Sequence, residues 1–321
     1  MKKFRKIYIN INSICNCKCV NCILSEDSRK MHDELSIDEI NNLVDSIPQI
    51  TDNQHYNIAE VSGGEPTLHK HFIEIVKILQ SAKTKGHLHK IALLTNGLTA
   101  SNKAFCSDIS QYIDDVVITL YDTNPINHDW FTNVSGSFVD KIAAIDNFLE
   151  CGVNVHIKLL VIRPSYQRLP EIAEFINQKW GNKVHVAING THYTGDAHRN
   201  NDVLFIKNQN AKPYIEKALD ILIMNKTIVS VFFPLCILDP IYWQYSPRGF
   251  KDVIDASLSI SPKYKIGKAD RLLDEFIHRN DVCESCLLVE RCNWPWKRYC
   301  EILDEQEIIE AKNNMYKNII N

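Results

Sequence analysis

The sequence predicts an α/β protein built on a parallel sheet, because strand-like and helix-like segments alternate six times over about the first 190 residues. The connections between these segments are short, which implies right-handed crossovers. Two arrangements satisfy these rules, an open doubly wound sheet and a partial barrel. In both, active-site residues follow the carboxyl ends of the strands, and polar residues and glycines stand at several of those ends here.

Six segments have the character of strands. The first, residues 6–14, alternates polar and apolar side chains and leads directly into a group of cysteines. Four more have the length and composition of sheet strands, namely 56–62, 90–94, 115–120 and 183–188. The segment 153–162 is almost continuously apolar, which is typical of a buried parallel strand.

Helices are predicted between and after these strands from apolar residues spaced three and four apart. The first begins at a capping box formed by Ser36 and Glu39. Further helical patterns cover 72–79, 103–112, 138–149 and 172–176, and the third of these ends near Gly152. A last pattern over 304–320 predicts a packed terminal helix.

The composition is that of a soluble globular protein of about two domains, with 321 residues, 45% hydrophobic and 23% charged. A net charge of −3 offers no bulk attraction to nucleic acid or to an anionic membrane, so we expect neither partner. No apolar run approaches the roughly 20 residues of a membrane span. The basic N-terminus is followed by an alternating segment without a cleavage site, and we therefore expect a cytoplasmic protein.

Eleven cysteines are many for a chain in a reducing compartment, where they indicate metal binding more than disulfides. Most of them form two groups, one near each end of the chain: Cys15, Cys17, Cys19 and Cys22, and Cys283, Cys286, Cys292 and Cys300. The grouping predicts two metal sites.

Three cysteines of the first group have the spacing Cys15-x3-Cys19-x2-Cys22. Thiolates at this spacing on a short loop reach three corners of a 4Fe–4S cluster and leave the fourth iron open to a small molecule. A zinc site is the alternative at this stage, since zinc also binds closely spaced cysteines.

This triad, followed after the second strand by Ser62-Gly63-Gly64-Glu65-Pro66, resembles the radical S-adenosylmethionine superfamily over about residues 6–190. The resemblance implies that Cys15, Cys19 and Cys22 hold a 4Fe–4S cluster. It also implies that the segment 62–66 binds the methionine amino group of S-adenosylmethionine. Glycines expose backbone to a ligand, and we expect the Glu65 carboxylate to complement the ammonium.

The resemblance extends to two further cofactor-binding positions. Asn96 lies in a Thr-Asn-Gly segment at the third strand end, and Thr119 stands where members often have a serine that contacts the cofactor. Asn21 departs from the family, which usually has an aromatic or apolar residue there, packed near the adenine. Cys17 lies inside the cysteine motif and is expected to be a neutral spare thiol, because the motif is complete without it.

The second group, Cys283-x2-Cys286-x5-Cys292, resembles the C-terminal auxiliary cluster modules called SPASM or twitch domains. SPASM domains have a further cysteine where this chain has Trp296, so the one-cluster twitch form fits better. The resemblance implies a fourth ligand from an upstream hairpin. Cys236 suits that place, and Cys300 is the alternative ligand. A zinc site is physically reasonable for this spacing as well.

The resemblance thus implies a partial (β/α)6, TIM-like barrel followed by a small irregular α+β auxiliary-cluster domain. We place the core at 1–190, the twitch- or SPASM-like domain at 191–303 and a C-terminal helix at 304–321. The expected cofactors are S-adenosylmethionine and two 4Fe–4S clusters, one that binds S-adenosylmethionine and one auxiliary.

The activity implied is cleavage of S-adenosylmethionine to a 5′-deoxyadenosyl radical, which abstracts hydrogen from a substrate. The segment 128–138 resembles peptide-modifying members, so the leading substrate is a ribosomally synthesised peptide that receives a crosslink or an epimerisation. The alternatives are dehydrogenation or rearrangement of a small molecule, such as a sugar alcohol or a cofactor precursor, and a non-catalytic metal-binding module. Flavodoxin or ferredoxin is the expected electron donor, and no catalytic residue is assigned.

Overall fold

The computed structural model describes residues 3–50, 55–247, 258–262, 264–268, 281–289, 291–292, 297–302 and 306–320. The strands in this part of the chain are β1 (Lys3–Asn10), β2 (His55–Ser62), β3 (Lys90–Leu94), β4 (Asp115–Thr119), β5 (Asn154–Leu160), β6 (Val184–Asn189), β7 (Ile228–Phe232), β8 (Leu258–Ser261) and β9 (Tyr264–Lys268). All belong to one sheet, in the order β7-β6-β5-β4-β3-β2-β1-β8-β9.

Helices connect successive strands and follow the last one. They are α1 (Glu26–Lys30), α2 (Ile37–Ile50), α3 (Phe72–Thr84), α4 (Lys103–Ser110), α5 (Pro125–Thr132), α6 (Ser137–Glu150), α7 (Leu169–Lys179), α8 (Asp196–Arg199), α9 (Asn201–Leu204), α10 (Asn208–Met224), α11 (Asp281–Glu284), α12 (Lys297–Ile302) and α13 (Gln306–Ile320). None of the described helices is long and apolar enough to cross a lipid bilayer.

The first seven strands pair in chain order and are all parallel, which confirms the predicted α/β fold with its barrel-like parallel sheet. The strand β8 returns to pair in parallel with β1, and β9 pairs with β8 in the antiparallel direction. Because consecutive parallel strands share one orientation, the loops that follow β1 to β7 meet at the same edge of the sheet. The candidate site lies at that edge.

Alternation along each strand separates an apolar outer face from a polar inner face. On β1, Ile7 and Ile9 are fully buried in one apolar core with residues of α2 and α3 such as Ile40 and Ile75. The residues between them point to the other side of the sheet, the interior of the barrel.

The sheet continues beyond the six predicted repeats. The helix α10 packs on α7, and β7 pairs with β6, which makes a seventh repeat that the sequence analysis missed. The five-residue strand β7 lies in a region of irregular composition, so its periodicity is too short to detect. Residues beyond 190 therefore contribute three strands to the same sheet, and the division of the chain into domains there stays a prediction.

Candidate functional site

The three spaced cysteines lie on the loop that follows β1. Cys15, Cys19 and Cys22 are all partly accessible, whereas Cys17 between them is buried. The backbone N–H of Cys22 donates to the carbonyl of Cys19 at 3.1 Å, which closes a turn within the loop. The strand β1 ends at Asn10, earlier than predicted, and frees the residues that form this loop.

Two other parts of the chain hold this cysteine loop by backbone hydrogen bonds. On one side, the N–H groups of Lys18 and Val20 donate to the carbonyls of Thr132 and Phe131 at the end of α5, at 3.0 and 2.9 Å. On the other side, the N–H of Ala197 donates to the Cys22 carbonyl at 3.0 Å. The residues around α8, which were expected to belong to the twitch- or SPASM-like domain, therefore help to fix the cysteine loop.

The Gly-Gly-Glu turn after β2 packs directly against the start of the cysteine loop. A Cβ on Gly63 would lie 2.4 Å from the Asn12 carbonyl oxygen, and one on Gly64 would lie 2.2 Å from that of Ile14. At these distances only glycine fits. The N–H of Gly64 donates to the Asn12 carbonyl at 2.9 Å, so the two loops also share backbone hydrogen bonds.

A third glycine, Gly195, has the same role at the other end of the cysteine loop. A Cβ at this position would lie 2.3 Å from the Ile23 carbonyl oxygen, and the residue has a positive φ of 59°. The sequence analysis missed Gly195. A lone glycine in an irregular segment gives no signal of such a close approach.

The Glu65 side chain is fully buried and turned into the protein. Its Oε1 accepts hydrogen bonds from the hydroxyls of Thr67 and Thr95 at 2.6 and 2.7 Å, and its Oε2 accepts one from the Asn96 N–H at 2.6 Å. Burial raises the pKa of Glu65, and these hydrogen bonds oppose that shift. Protein donors thus bind both oxygens of this carboxylate, and the expected contact between Glu65 and an ammonium stays a prediction.

Asn96 and Thr119 both lie near the cysteine loop. The Asn96 Nδ2 donates to the Asn16 Oδ1 at 2.7 Å and lies 3.9 Å from the Cys15 sulfur. Thr119, at the end of β4, is partly accessible, and its carbonyl accepts a hydrogen bond from the Lys141 Nζ. Both positions are compatible with a cofactor contact, which stays a prediction.

Ser62 and Asn21 add polar groups to this region. The Ser62 hydroxyl donates to the Asn10 Oδ1 at 2.5 Å, so it points to the inner face of the sheet. Asn21 is buried, and its Oδ1 has no hydrogen-bond partner among the described residues. A buried acceptor of this kind fits a site that a ligand with hydrogen-bond donors completes.

The thiols of the loop are electrostatically unequal. Hydrogen bonds from the Cys17 thiol lower the pKa of Cys15, and they lower that of Cys19 to about 7. The same hydrogen bonds raise the pKa of Cys17, and burial raises the pKa of Cys22 to about 11. Cys17 is thus the hydrogen-bond donor among these thiols, and its role as a neutral thiol stays a prediction.

Lys141 is a site residue that the sequence analysis missed. It is fully buried on α6, and its Nζ donates to the Thr119 carbonyl at 2.7 Å and lies 5.0 Å from the centre of the Tyr121 ring. Burial lowers the pKa of Lys141, while the nearby Cys19 acts in the opposite direction. A lysine next to the apolar face of a predicted helix was the available signal.

The segment 128–138 forms a tight cap between α5 and α6. The Asp129 carboxylate accepts hydrogen bonds from the Gly136 N–H at 2.6 Å, the Ser137 hydroxyl at 2.8 Å and the Phe138 N–H at 2.9 Å. The cap fixes the end of α5, whose last carbonyls bind the cysteine loop. In the described structure this motif thus stabilises the helix end that holds the cysteine loop.

The C-terminal cysteines gather around a second cavity of about 40 Å³, which is lined by Cys236, Cys283, Cys286 and Cys292. The N–H of Leu235 donates to the Cys292 sulfur at 3.3 Å, and burial raises the pKa of Cys236 to about 12. The other candidate ligand, Cys300, packs instead with a separate apolar cluster. Trp296 lies outside the described residues.

Neither set of cysteines is arranged around a single metal ion. Within the part of the chain that the structure describes, no three or more histidine, cysteine, aspartate or glutamate side chains have that placement. A 4Fe–4S cluster differs from a single ion in that each cysteine binds a separate corner. The sulfur donors and their grouping into three and four are those that such clusters use.

The fold and the site define an α/β protein with a three-cysteine cofactor loop at the carboxyl edge of a parallel sheet. The chain belongs to the Radical SAM superfamily, whose model matches residues 9–196. The match includes the cysteine loop and the Gly-Gly-Glu turn. Membership supports an enzyme, and S-adenosylmethionine with one 4Fe–4S cluster are the cofactors expected of it.

Solved structures with this fold include peptide-bound proteins. The chain is similar to anSMEcpe with bound AdoMet, with a TM-score of 0.68 and 14% identity over 98% of this chain and 96% of the other. It is also similar to SuiB from Streptococcus suis bound to the precursor peptide SuiA, with a TM-score of 0.63 and 15% identity over 91% of this chain and 72% of SuiB. At these identities the likeness shows a shared fold.

Curated relatives of this chain are named for an activity on GTP. GTP 3′,8-cyclase of Vibrio atlanticus is 26% identical over 187 residues, which are 56% of this chain and 52% of the relative. The enzyme of the same name from Psychromonas ingrahamii is 32% identical over 105 residues, 32% of this chain and 29% of the relative. The chain thus spans about half, or less, of the length of these relatives.

Proposed function

We propose that this protein is a radical S-adenosylmethionine enzyme that modifies a ribosomally synthesised peptide, by a crosslink or an epimerisation, with the help of a twitch-type auxiliary cluster. The observation behind the peptide proposal is the extent of the likeness to anSMEcpe, which reaches past the family match to nearly the whole of both chains. Another structure of anSMEcpe contains AdoMet together with a peptide.

The residues of the first site have distinct roles in this proposal. Cys15, Cys19 and Cys22 hold a 4Fe–4S cluster, and the backbone N–H of Cys17 donates to the Cys15 sulfur at 3.4 Å. When bound, the cluster and S-adenosylmethionine together supply a 5′-deoxyadenosyl radical that abstracts hydrogen from the substrate. The turn 62–66, Asn96 and Thr119 surround the cofactor, and the buried Glu65 also fixes the turn through its hydrogen bonds.

The second site fits an auxiliary 4Fe–4S cluster with Cys236 as fourth ligand. Four sulfur atoms line one mostly apolar cavity, and burial raises the pKa of Cys292 far above its usual value. Metal coordination deprotonates such thiols, so the free energy of binding offsets the cost of burying them. Flavodoxin or ferredoxin is the proposed electron donor.

A second candidate function is radical chemistry on a small molecule. The observation that favours it is the sequence similarity to GTP 3′,8-cyclases. For the Vibrio atlanticus enzyme this similarity covers 56% of this chain. The two candidates share the radical cofactor and differ in the substrate that reaches it.

The test compares both substrates with one reconstituted protein. The enzyme is reduced with dithionite and given S-adenosylmethionine with either GTP or synthetic peptides translated from short open reading frames found beside its gene. We expect 5′-deoxyadenosine in both reactions and a modified product from the peptide alone. A crosslink shows as the loss of two hydrogen atoms, and an epimerisation run in D₂O shows as the gain of one deuterium at the inverted carbon. A new product from GTP with an unchanged peptide would replace the peptide proposal by the small-molecule one. The Cys19→Ala variant, which lacks one cluster ligand, is expected to form no 5′-deoxyadenosine.

A further inference from the structure

On the described inner face of β1 to β8, Lys158 is a charged side chain that lacks an ion pair. Among the described residues of β1 to β8, five charged side chains lie on that face: Lys6, Glu60, Lys90, Asp115 and Lys158. Lys6 pairs with Glu60 at 2.6 Å, and Lys90 pairs with Asp115 at 2.9 Å. No ion pair or side-chain hydrogen bond of Lys158 occurs in the described part of the chain.

Lys158 stands close to the candidate cofactor site. It lies on β5 in register with Thr119 of β4 on one side and with Ala187 of β6 on the other. Thr119 is the residue whose carbonyl binds Lys141 beside the cysteine loop. Across the barrel interior, Lys158 has Glu60 as a neighbour, but Glu60 is already paired with Lys6.

Two more polar side chains face the space around Lys158. The charge of Lys158 acts on His192, where burial and this charge together lower the pKa of the imidazole to about 3. Asn189 lies on the inner face of β6, two residues beyond the partner of Lys158, and its buried Oδ1 has no hydrogen-bond partner among the described residues. The space thus offers a cation, a neutral imidazole and an open acceptor.

We propose that Lys158 binds an anionic group of the substrate, a carboxylate or a phosphate, in the barrel interior, and that the Asn189 oxygen accepts a hydrogen bond from the same molecule. A partly buried cation without a counter-ion is costly, and an anionic ligand removes that cost. A lysine is suited to this task because its ammonium binds carboxylate and phosphate oxygens alike. Identifying the bound molecule as the substrate rests on the function proposed above.

Either substrate class supplies such an anion. A peptide offers an acidic side chain or its terminal carboxylate, and a nucleotide offers phosphates. The presence of an anion therefore does not distinguish the two substrate classes, but its type, carboxylate or phosphate, does. Two small probes, inorganic phosphate and glutarate, represent the two sources.

The test measures protection of the Lys158 amine in the reconstituted enzyme with S-adenosylmethionine bound. Brief treatment with acetic anhydride, followed by mass spectrometry of peptides, gives the acetylation rate of Lys158 and of the exposed Lys217 as an internal reference. Burial lowers the pKa of Lys158, against the influence of Glu60, and the neutral amine is the form that the anhydride acetylates. A bound anion holds the proton on the amine. We expect phosphate or glutarate to slow Lys158 acetylation at least tenfold and to leave Lys217 unchanged.

Each outcome has a defined meaning. Protection by phosphate identifies a phosphate site and protection by glutarate a carboxylate site, whereas no protection beyond that given by sodium chloride at equal ionic strength overturns the proposal. The probe with the stronger effect is then titrated into the Lys158→Gln and Lys217→Gln variants to measure how tightly each binds it. Only Lys158→Gln should weaken binding, by tenfold or more. Formation of 5′-deoxyadenosine without substrate reports separately on the radical chemistry, so its loss in the parent enzyme would concern the proposed function and leave the anion site standing.

Discussion

The buried carboxylate of Glu65 accepts a 2.6 Å hydrogen bond from the backbone N–H of Asn96 and thereby joins the turn after β2 to the turn after β3. The same carboxylate binds the hydroxyls of Thr67 and Thr95. Asn96 in turn reaches Asn16 in the cysteine loop. One buried side chain therefore sets the relative position of the turns after three neighbouring strands, which gives the glutamate of the motif a structural role.

Replacement of Glu65 by glutamine tests this interpretation. Glutamine keeps the size of the side chain but presents an NH₂ group to donors that need an acceptor, and each charge-assisted hydrogen bond is worth about 1.5–3 kcal/mol. We expect the turns to shift and the dissociation constant for S-adenosylmethionine to rise about tenfold, which corresponds to about 1.4 kcal/mol. Isothermal titration of reconstituted protein measures the constant, and iron analysis should show an unchanged cluster.

The matched control is Glu150→Gln, which removes an exposed carboxylate that pairs with Lys103 on the surface. This variant should bind S-adenosylmethionine like the parent. If Glu65→Gln also binds normally, the carboxylate does not fix the site.

The second cysteine group gives a prediction on iron content. Cys236 lines the cavity with Cys283, Cys286 and Cys292, and Cys300 packs elsewhere. We expect the reconstituted protein to hold about eight irons, and Cys236→Ser to lose or destabilise the auxiliary cluster and approach about four. Cys300→Ser is the control and should keep the full content. Iron analysis and Mössbauer spectra measure both.

The opposite result would change the assignment of the fourth ligand. Halved iron in Cys300→Ser with full iron in Cys236→Ser would assign the fourth ligand to Cys300. About four irons in the parent protein would contradict an auxiliary 4Fe–4S cluster altogether.

At the other edge of the sheet, Asp115 links three strands. Its carboxylate lies 2.9 Å from the Lys90 Nζ and 3.6 Å from the His156 Nε2, and it accepts a hydrogen bond from Asn154. Burial would raise the pKa of Asp115, but these partners lower it to about 2. A carboxyl with a depressed folded pKa stabilises the fold at pH values above its unfolded pKa near 4, and this contribution is lost as the pH falls toward 2.

Asp115→Asn should therefore lower stability near neutral pH and leave the site intact. Because solvent reaches part of this group, we expect a loss of about 1–2 kcal/mol and a decrease in Tm of a few degrees. The difference from the parent should shrink as the pH approaches 2. Thermal unfolding across this pH range measures the effect, and the exposed Asp108→Asn is the control. A constant difference at all pH values would exclude the carboxylate as its source.

Local patterns were sufficient to predict the parallel core and the cysteine loop. The periodicity of α3 and the length of β3 show in the sequence because each element has one buried face or is buried throughout. The motif of Cys15, Cys19 and Cys22 is equally local. The sequence thus predicted the features that depend on neighbours along the chain.

Features that depend on tertiary contacts were missed. Gly195 is required by the approach of Ile23, which lies far away in sequence. The direction of the Glu65 side chain depends on the Thr95 hydroxyl and the Asn96 N–H in the turn after β3. The pairing of β8 with β1 joins the two ends of the chain, and no periodicity reports such a contact. Cys236 was singled out by the resemblance to a known module; it lines one cavity with the C-terminal cysteines, and its role as a ligand stays a prediction.

Lys141 provides the last prediction because its charge is fixed inside the protein. The side chain is fully buried, is held by the Thr119 carbonyl at 2.7 Å and acts electrostatically on Cys19. A fixed cation near a cluster ligand favours the state with the extra electron, and low solvent access strengthens this effect.

Lys141→Met keeps the length of the side chain and removes the charge. We expect the midpoint potential of the first cluster to fall by tens of millivolts, measured by redox titration followed by electron paramagnetic resonance on protein that lacks Cys283, Cys286 and Cys292. The exposed Lys217→Met is the control for a change in total charge, and equal Tm values for the parent and Lys141→Met would show that the fold is kept. An unchanged potential in a folded Lys141→Met protein would leave Lys141 with a purely structural role.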